Sequence, residues 1–341
     1  MNRKQTLLMA AFLTVLPVLG WSDPPRCAPP TATLLASGLE GPIGSTVGPD
    51  RALYVAEGIA GRISRIDPNT GQITTFASGL PKRLPGFPVG GPIDITFMGN
   101  TAYVLVTLVG PDVGGTSISG IYRVDGPDTF TVVANLGAWS VAHPPPTSFD
   151  APGGLQFAME PYRGGFVVSD SNHNRLLFVT LDHCAKFDPN DTSNIKELIA
   201  FANIVPAGLA VAGHTIYFSL AGPDPHLPKD GKVLTFDVNS GTVTELASGS
   251  PFLLDVGFGR GRDLYALSQG VFTCCTPTDS ALPNTGALVK VNDDGGFKVI
   301  ADHLDRPASL QFIGNTAYFV SLAGELWKIR DVSCHRNGDR R

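Results

Sequence analysis

The segment TATLLAS, residues 31–37, is a strand-like sequence that lies far from the repeated unit to which it belongs. Similar segments occur later in the chain, and each of those closes a unit of four strand-like segments. They read QITTFAS at 72, TFTVVAN at 129, KELIAFAN at 196, TVTELAS at 242 and FKVIADH at 297. The copy at 31–37 instead stands ahead of every unit.

The three other segments of the unit each occur six times, in the same order. The first reads GPIGSTV at 41, GPIDITF at 91, APGGLQF at 151, VPAGLAV at 205, LLDVGF at 253 and RPASLQF at 306. The second reads ALYVAE at 52, TAYVLV at 101, GFVVSD at 165, TIYFSL at 215, DLYALS at 263 and TAYFVS at 316. The third reads RISRID at 62, GIYRVD at 120, RLLFVT at 175, KVLTFD at 232, ALVKVN at 287 and ELWKIR at 325.

The last unit therefore lacks its fourth strand, and residues 31–37 supply the missing one. A linear array would leave unpaired strand edges at both ends, whereas a ring closed by an N-terminal strand removes them. The abundance of glycine and proline, 39 and 28 residues, and the low charged content of 16% favour short strands joined by turns. The sequence predicts an all-β, six-bladed β-propeller in which the N-terminal strand completes the last blade.

The first residues have the layout of a secretory signal peptide, with Arg3 and Lys4 followed by an apolar stretch over 7–19. We expect cleavage after residue 22, a single propeller domain over 23–334 and a disordered tail over 335–341. An uncleaved membrane anchor is the alternative, and the apolar run is short for that role. We predict an exported protein, periplasmic or extracellular, with no transmembrane segment after cleavage.

The net charge of the chain and its lack of standard catalytic motifs limit the classes of function that the sequence supports. Without Arg3 and Lys4 the chain has 23 basic and 30 acidic residues, a formal charge of −7, which disfavours nucleic acid as a partner. The chain contains no GxSxG elbow, HExxH helix, P-loop or dinucleotide fingerprint. No standard catalytic motif therefore identifies a reaction.

The five cysteines suit an oxidising compartment. Cys27 precedes the N-terminal strand at 31–37, and Cys334 follows the strand that is its predicted antiparallel neighbour. We therefore predict a Cys27–Cys334 disulfide that closes the ring; two unrelated thiols are the alternative. Cys274 and Cys275 could form a vicinal disulfide or stay as free thiols, and Cys184 is left over.

Long connections concentrate on one face of the predicted ring, the face formed by the loops from second to third strands and from fourth to first strands. Insertions on one face of a repeat ring usually build its binding surface. We predict that this face binds a small molecule, a glycan or a protein, and that its loop histidines, His143, His173 and His226, contact the ligand. Exposed histidines without such a role are the alternative. The long connections are 80–90, 107–119, 137–150, 221–231 and 269–286.

Four acids are predicted to point into the mouth of the central channel: Glu57, Asp94, Asp170 and Asp255. Clustered carboxylates repel one another and take up protons or a cation, and oxygen ligands favour Ca²⁺ or Mg²⁺. Alternatively, these acids cap strand ends or pair with Arg62, Arg123 or Arg175, and 172–174 is a tight turn. The matched positions of the innermost strands are Gly44, Asp94, Gly154, Gly208, Asp255 and Ser309.

The units LLASGLEGPIGSTVGPDRALYVAE and TTFASGLPKRLPGFPVGGPIDITF resemble the ScyD/ScyE family of bacterial propeller proteins, and FVVSDSNHNRLLFV looks like an NHL-type blade. The first resemblance implies an exported six-bladed propeller, associated by name with scytonemin pigment biosynthesis. The wider six-bladed superfamily includes gluconolactonase-like, strictosidine-synthase-like and paraoxonase-like enzymes, several with a cation at the channel mouth.

Two functions follow as hypotheses. The first is a non-enzymatic exported binding protein that uses the long-loop face. The second is a divalent-cation-dependent hydrolase of lactone-type esters, in which the bound cation polarises the carbonyl.

Overall fold

The innermost strands of six sheets contact one another in sequence around a ring, and the last of them contacts the first. The computed structural model describes residues 30–146, 151–181, 187–273 and 280–333. In this part of the chain 24 strands form six antiparallel sheets of four strands each. The predicted six-bladed β-propeller is therefore confirmed.

Each blade except the last consists of four consecutive strands. The N-terminal strand is β1 (Ala32–Ser37). Blade 1 comprises β2 (Pro42–Val47), β3 (Leu53–Glu57), β4 (Arg62–Ile66) and β5 (Ile73–Ser78). Blade 2 comprises β6 (Gly91–Met98), β7 (Thr101–Thr107), β8 (Gly120–Gly126) and β9 (Thr129–Ala134). Blade 3 comprises β10 (Gln156–Tyr162), β11 (Gly165–Asp170), β12 (Arg175–Thr180) and β13 (Ile195–Ala200).

The second half of the ring has the same organisation. Blade 4 comprises β14 (Pro206–Ala212), β15 (Thr215–Leu220), β16 (Lys232–Asp237) and β17 (Thr242–Ser248). Blade 5 comprises β18 (Leu253–Phe258), β19 (Leu264–Ser268), β20 (Gly286–Val291) and β21 (Phe297–Leu304). Blade 6 comprises β22 (Pro307–Ile313), β23 (Thr316–Ser321), β24 (Glu325–Ile329) and the N-terminal strand β1.

Closure of the ring depends on β1. This strand pairs antiparallel with β24, with Ala32 opposite Ile329 and Ser37 opposite Glu325. Ala36 packs in the core between blades 6 and 1, and Ala77, Ala134, Ala247 and Ala301 are likewise buried in the outer strands of blades 1, 2, 4 and 5. The prediction that residues 31–37 complete the last blade is confirmed.

The connection after β9 contains a helix that the sequence did not predict, α1 (Leu136–Ala142). Asn135 caps it, since its side-chain oxygen accepts a hydrogen bond from the Ala138 amide at 2.9 Å. Leu136 and Trp139 bury one side of the helix against blades 2 and 3. Two short 3₁₀ helices, Pro111–Val113 and Arg260–Arg262, also lie in connections.

Several sequence predictions fall outside the described residues. These are the signal peptide over 1–22, the tail over 335–341 and all five cysteines, including the Cys27–Cys334 pair. They stay predictions. Among the described residues, neither α1 nor any other helix has the length and apolar character needed to cross a bilayer.

Candidate functional site

The structure divides the four predicted acids into two pairs. Glu57 and Asp170 end the second strands of blades 1 and 3, where each faces an arginine at the start of the next strand. Arg62 donates to both carboxylate oxygens of Glu57 at 2.8 Å. Arg175 Nε lies 3.2 Å from Asp170 Oδ2. The alternative interpretation, an acid paired with Arg62 or Arg175, describes both sites.

Asp94 and Asp255 instead line the central channel, on the innermost strands of the opposite blades 2 and 5. Each bridges its blade to the next. Asp94 Oδ2 accepts a hydrogen bond from the Met159 amide at 2.8 Å, and Asp255 Oδ2 accepts one from the Leu310 amide at 2.6 Å. These carboxyl groups therefore bind neighbouring blades together.

The matched position in blade 3 was predicted incorrectly. The pairing registers place Ala158, not Gly154, at the position of Asp94, because Gln156 pairs with Asp170 as Pro92 pairs with Val106. Gly154 lies in the connection before β10, where its φ of +80° leaves little room for any other residue. The error arose because the proline of APGGLQF was matched to the proline that begins other innermost strands, whereas β10 begins further along the chain, at Gln156.

The corrected register brings a third acid into the channel. Glu160, two residues beyond Ala158, shares one cavity with Asp94 and Asp255, and the cavity volume is about 20 Å³. Among the described residues Glu160 has no hydrogen-bond or ion-pair partner. Its position could have been found by aligning blade 3 on its β10–β11 register instead of on its proline.

Burial controls the protonation of these three acids. It raises the pKa of Asp94 and of Glu160 well above the usual range, and the charges of the other channel acids add to the effect. It raises the pKa of Asp255 to about 7, against the opposing effect of hydrogen bonds from the Leu310 and Val256 amides. The channel is a cluster of acids that retain protons in mildly acidic solution.

The Ca²⁺ or Mg²⁺ ion predicted at the channel mouth stays a prediction, and the described residues leave few free oxygen ligands for it. The free space of the cavity holds about one water molecule, so protein oxygens would have to supply most of the six or more ligands that such an ion takes. Asp94 and Asp255 already accept amide hydrogen bonds, and the carboxylates of Glu57 and Asp170 are paired with arginines. Among the described residues no three His, Cys, Asp or Glu side chains are grouped so as to hold a metal ion.

A much larger cavity opens on the predicted long-loop face. We call it the α1 cleft; its volume is about 630 Å³. Helix α1 with the three prolines that follow it forms one wall, the turn between β11 and β12 forms the floor, and the start of the β13–β14 connection forms the other wall. The lining residues are Trp139, His143, Pro144, Pro145, Pro146, His173, Asn174, Arg175, Glu197, Ala200, Phe201, Ala202 and Asn203.

Arg175 organises the floor of the α1 cleft. It is only 2% exposed, and its guanidinium lies over the Trp139 ring, 4.8 Å from the ring centroid. All of its nitrogens are engaged, so it joins α1 to blade 3. The partners are Asp170 Oδ2 at 3.2 Å, the His143 carbonyl at 2.8 Å, Ser140 Oγ at 3.1 Å, His173 Nδ1 at 2.8 Å and Glu197 Oε2 at 3.7 Å.

The stretch SNHN, residues 171–174, forms the turn that the sequence suggested. Asn174 adopts a φ of +55°, and its side-chain oxygen accepts hydrogen bonds from the Ile204 and Val205 amides at 2.8 Å each. Asparagine tolerates this left-handed conformation better than most residues do. The turn therefore anchors the opposite wall of the α1 cleft.

Two of the three predicted histidines meet at this cleft. His173 is buried; its Nδ1 accepts from Arg175, so its Nε2–H donates to the Ala151 carbonyl at 3.1 Å. His143 is exposed, its ring stacks on Trp139 at 4.4 Å, and its Nδ1–H donates to the Trp139 carbonyl. Of these two histidines, His143 is the one that presents a ring nitrogen, Nε2, to a ligand in the cleft.

His226 lies in a different part of the same face. Its ring stacks on Phe252 with a centroid distance of 4.0 Å and meets the edge of Phe272 at 4.7 Å. Its Nδ1 lies 2.7 Å from the Gly222 carbonyl. His226 therefore packs the 221–231 connection against blade 5 and does not line the α1 cleft.

Sequence reasoning missed three residues of the cleft, Trp139, Glu197 and Phe201. Trp139 lies in a connection that was not expected to be helical, and the other two belong to the outer strand and exit of blade 3. An available signal was the proline run at 144–146 directly after an apolar segment, since proline disfavours continuation of a helix.

Comparison with known proteins bears on the fold. No protein-family model matches the sequence, and no curated protein matches it. The chain is similar to the solved structure of a Xanthomonas campestris gluconolactonase, with a TM-score of 0.59 and 11% identity, over 89% of this chain and 95% of that one.

Two further solved structures have the same architecture. Virginiamycin B lyase from Staphylococcus aureus has a TM-score of 0.51 and 15% identity, over 88% of this chain and 98% of that one. A chain of a nidogen/laminin complex has a TM-score of 0.51 and 14% identity, over 79% of this chain and 85% of that one. At such identities the likeness establishes the fold and leaves the function open. The chain is a six-bladed β-propeller whose structural neighbours include gluconolactonase and virginiamycin B lyase.

Proposed function

We propose that the protein is an exported binding protein that holds a small organic ligand in the α1 cleft. The observation that carries the proposal is the contrast between two cavities: about 630 Å³ in the cleft against about 20 Å³ in the channel. Small-molecule sites typically have volumes of a few hundred Å³ and combine apolar walls with a few placed polar groups. The cleft meets both criteria.

The rigidity of the cleft supports this role. The buried network of Arg175, Asp170 and His173 fixes the floor, and Asn174 fixes one wall through two amide hydrogen bonds. A preformed site avoids the entropy cost of ordering loops around a ligand. We also propose that the protein is exported and that it is of the ScyD/ScyE type. Sequencing the N-terminus of the mature protein from culture medium or periplasm would test export.

Ligand screening with a matched pair of variants tests the proposal. Ala200→Trp places an indole in the α1 cleft, whereas Ala138→Trp fills the separate depression on the other side of α1. We expect compounds from a metabolite collection that raise the melting temperature of the wild type to act on Ala138→Trp and to lose their effect on Ala200→Trp. If every stabilising compound acted equally on both variants, the cleft would not be the binding site.

Hydrolysis of lactone-type esters with Ca²⁺ or Mg²⁺ is the second candidate. It is supported by the fold likeness to gluconolactonase, and it is opposed by the small channel cavity and the engaged carboxylates. A panel of lactones assayed with and without EDTA distinguishes the two candidates. EDTA-sensitive turnover that Asp94→Asn or Asp255→Asn abolishes would favour the hydrolase.

A further inference from the structure

We propose that the α1 cleft selects ligands that carry a protonated amine beside an apolar ring and discriminates against carboxylates and phosphates. This inference rests on the proposed function, because it concerns the chemistry of the same cleft. It follows from the charges, the hydrogen-bond acceptors and the apolar surface that the cleft presents.

The charge balance of the cleft is negative. Arg175 is the only cationic side chain among its described lining residues, and it lies between two carboxylates, Asp170 and Glu197. Among the described residues the lining holds one positive and one negative group, and the buried Asp170 behind it adds a second negative group, so these three groups sum to −1. Glu197 carries the accessible part of that charge, because its side chain is 42% exposed while Asp170 is fully buried.

Among the described lining residues no guanidinium donor is left for an anionic ligand. Arg175 already contacts five acceptors, and its burial prevents it from turning toward the cleft without breaking that network. The neighbouring Lys196 does not compensate, because its ammonium lies over the Phe178 ring, 5.3 Å from the ring centroid. Lys196 and Glu197 are consecutive residues of β13, so their side chains point to opposite faces of the blade.

The wall that follows α1 offers acceptors almost exclusively. Pro144, Pro145 and Pro146 have no backbone N–H, so their main chain contributes carbonyl oxygens alone. His143 uses its Nδ1–H internally, which leaves Nε2 as an acceptor in the neutral ring. Ligand donors, and an ammonium group above all, complement such a wall.

The remaining surface is apolar and suits a ring. Phe201 is half-buried against Phe218, with ring centroids 5.4 Å apart, and it lines the cleft together with the three prolines. Proline rings and the phenylalanine ring give flat apolar contacts on both sides. The ligand class is therefore an amine attached to a ring, with the amine directed at Glu197.

Three probes of the same shape test the inference: benzylammonium, benzyl alcohol and benzoate. Dissociation constants can be measured by ligand-observed NMR and by Trp139 fluorescence in a Trp21→Phe, Trp327→Phe background. We expect benzylammonium to bind about fivefold more tightly than benzoate, with benzyl alcohol between them. Glu197→Gln should reduce the ratio to about one, since it removes the exposed charge and keeps the side-chain shape.

Glu245→Gln is the matched control, because Glu245 is a similarly exposed outer-strand carboxylate paired with Lys232 in blade 4. It should leave the ratio unchanged. Benzoate binding as tightly as benzylammonium, or a ratio that Glu197→Gln does not alter, would overturn the charge selection while leaving the cleft as a binding site. Binding of all three probes that survives Ala200→Trp, or no binding of any of them, would overturn the proposed site and the selection with it.

Discussion

Glu160 of blade 3 and Gln311 of blade 6 occupy equivalent positions on opposite sides of the channel, two residues beyond Ala158 and Ser309. The glycine and aspartate positions of the channel repeat after half a turn. In the first half Gly44 gives space to Asp94, which bonds to blade 3; in the second half Gly208 gives space to Asp255, which bonds to blade 6. A methyl group on either glycine would collide with the neighbouring aspartate.

This symmetry predicts that Glu160→Gln stabilises the protein. Gln311 donates from its amide nitrogen to the Ser45 carbonyl of the adjacent blade at 2.8 Å, and we expect an amide at position 160 to donate to the carbonyl of Leu209, the residue of blade 4 that corresponds to Ser45. We expect the free energy of unfolding to rise by about 1 kcal/mol at about pH 9, because the variant removes a half-buried carboxylate. Urea denaturation measures the change.

The pH dependence of that effect has a definite sign. Because the folded protein holds the Glu160 proton more tightly than the unfolded chain, its stability is greatest below the usual pKa of 4.5 and falls as the pH rises toward the raised folded value. Asp255 acts likewise between 3.8 and about 7. Glu160→Gln should flatten the profile, and Glu245→Gln should not; a wild-type profile that rises from about pH 5 to about pH 9 would contradict the prediction.

Replacing either channel aspartate should weaken the joint between two blades. Asp255→Ala leaves the buried Leu310 amide without its acceptor, and Asp94→Ala does the same to Met159. We expect each variant to lose about 2 kcal/mol at about pH 5. The loss should shrink at alkaline pH, where the wild-type carboxyl ionises in a buried site. Unfolding curves that do not differ from the wild type at pH 5 would show that these hydrogen bonds are dispensable.

Arg175→Lys should be far more damaging than Arg62→Lys. A lysine cannot reproduce the planar contacts of Arg175 with α1 and blade 3, and its shorter reach leaves Asp170 a buried charge without a full partner. We expect a loss of about 3 kcal/mol and increased solvent exposure of Trp139. The matched pair Arg62–Glu57 in blade 1 is partly exposed at the arginine, so its lysine variant should lose less. Thermal melts and Trp139 emission in a Trp21→Phe, Trp327→Phe background compare the two directly.

Because β1 closes the ring, the same substitution at two neighbouring residues of this strand should change the stability by different amounts. Ala36 faces the core and Ser37 is exposed, so Ala36→Asp buries a charge while Ser37→Asp does not. We expect Ala36→Asp to lose about 3 kcal/mol or more and to associate through the freed edge of β24. Size-exclusion chromatography with thermal unfolding measures both effects, and equal stability of the two variants would contradict the closure argument.

Much of the fold could be predicted because a β-strand carries its identity in a short, local pattern, and six copies of that pattern reinforce one another. The displaced copy at 31–37 fixed the closure, since an incomplete last blade has one remaining partner. The candidate site was harder to predict. Glu57 and Asp170 share their position in the second strand, yet their arginine partners became apparent only with the register of the next strand.

The sequence by itself determined the number of blades, the closing strand and the face that carries the long connections, because each of these depends on order and spacing along the chain. Tertiary structure decided which side chains meet. The strand pairing in blade 3 places Ala158, and not Gly154, at the position of Asp94, and it places Glu160 in the channel. The packing of α1 against blade 3 forms the cleft around Arg175. These contacts join residues that are distant in sequence, so they cannot be read from local patterns. They also depend on strand register, because a one-residue change of register reverses the direction of every side chain in a strand.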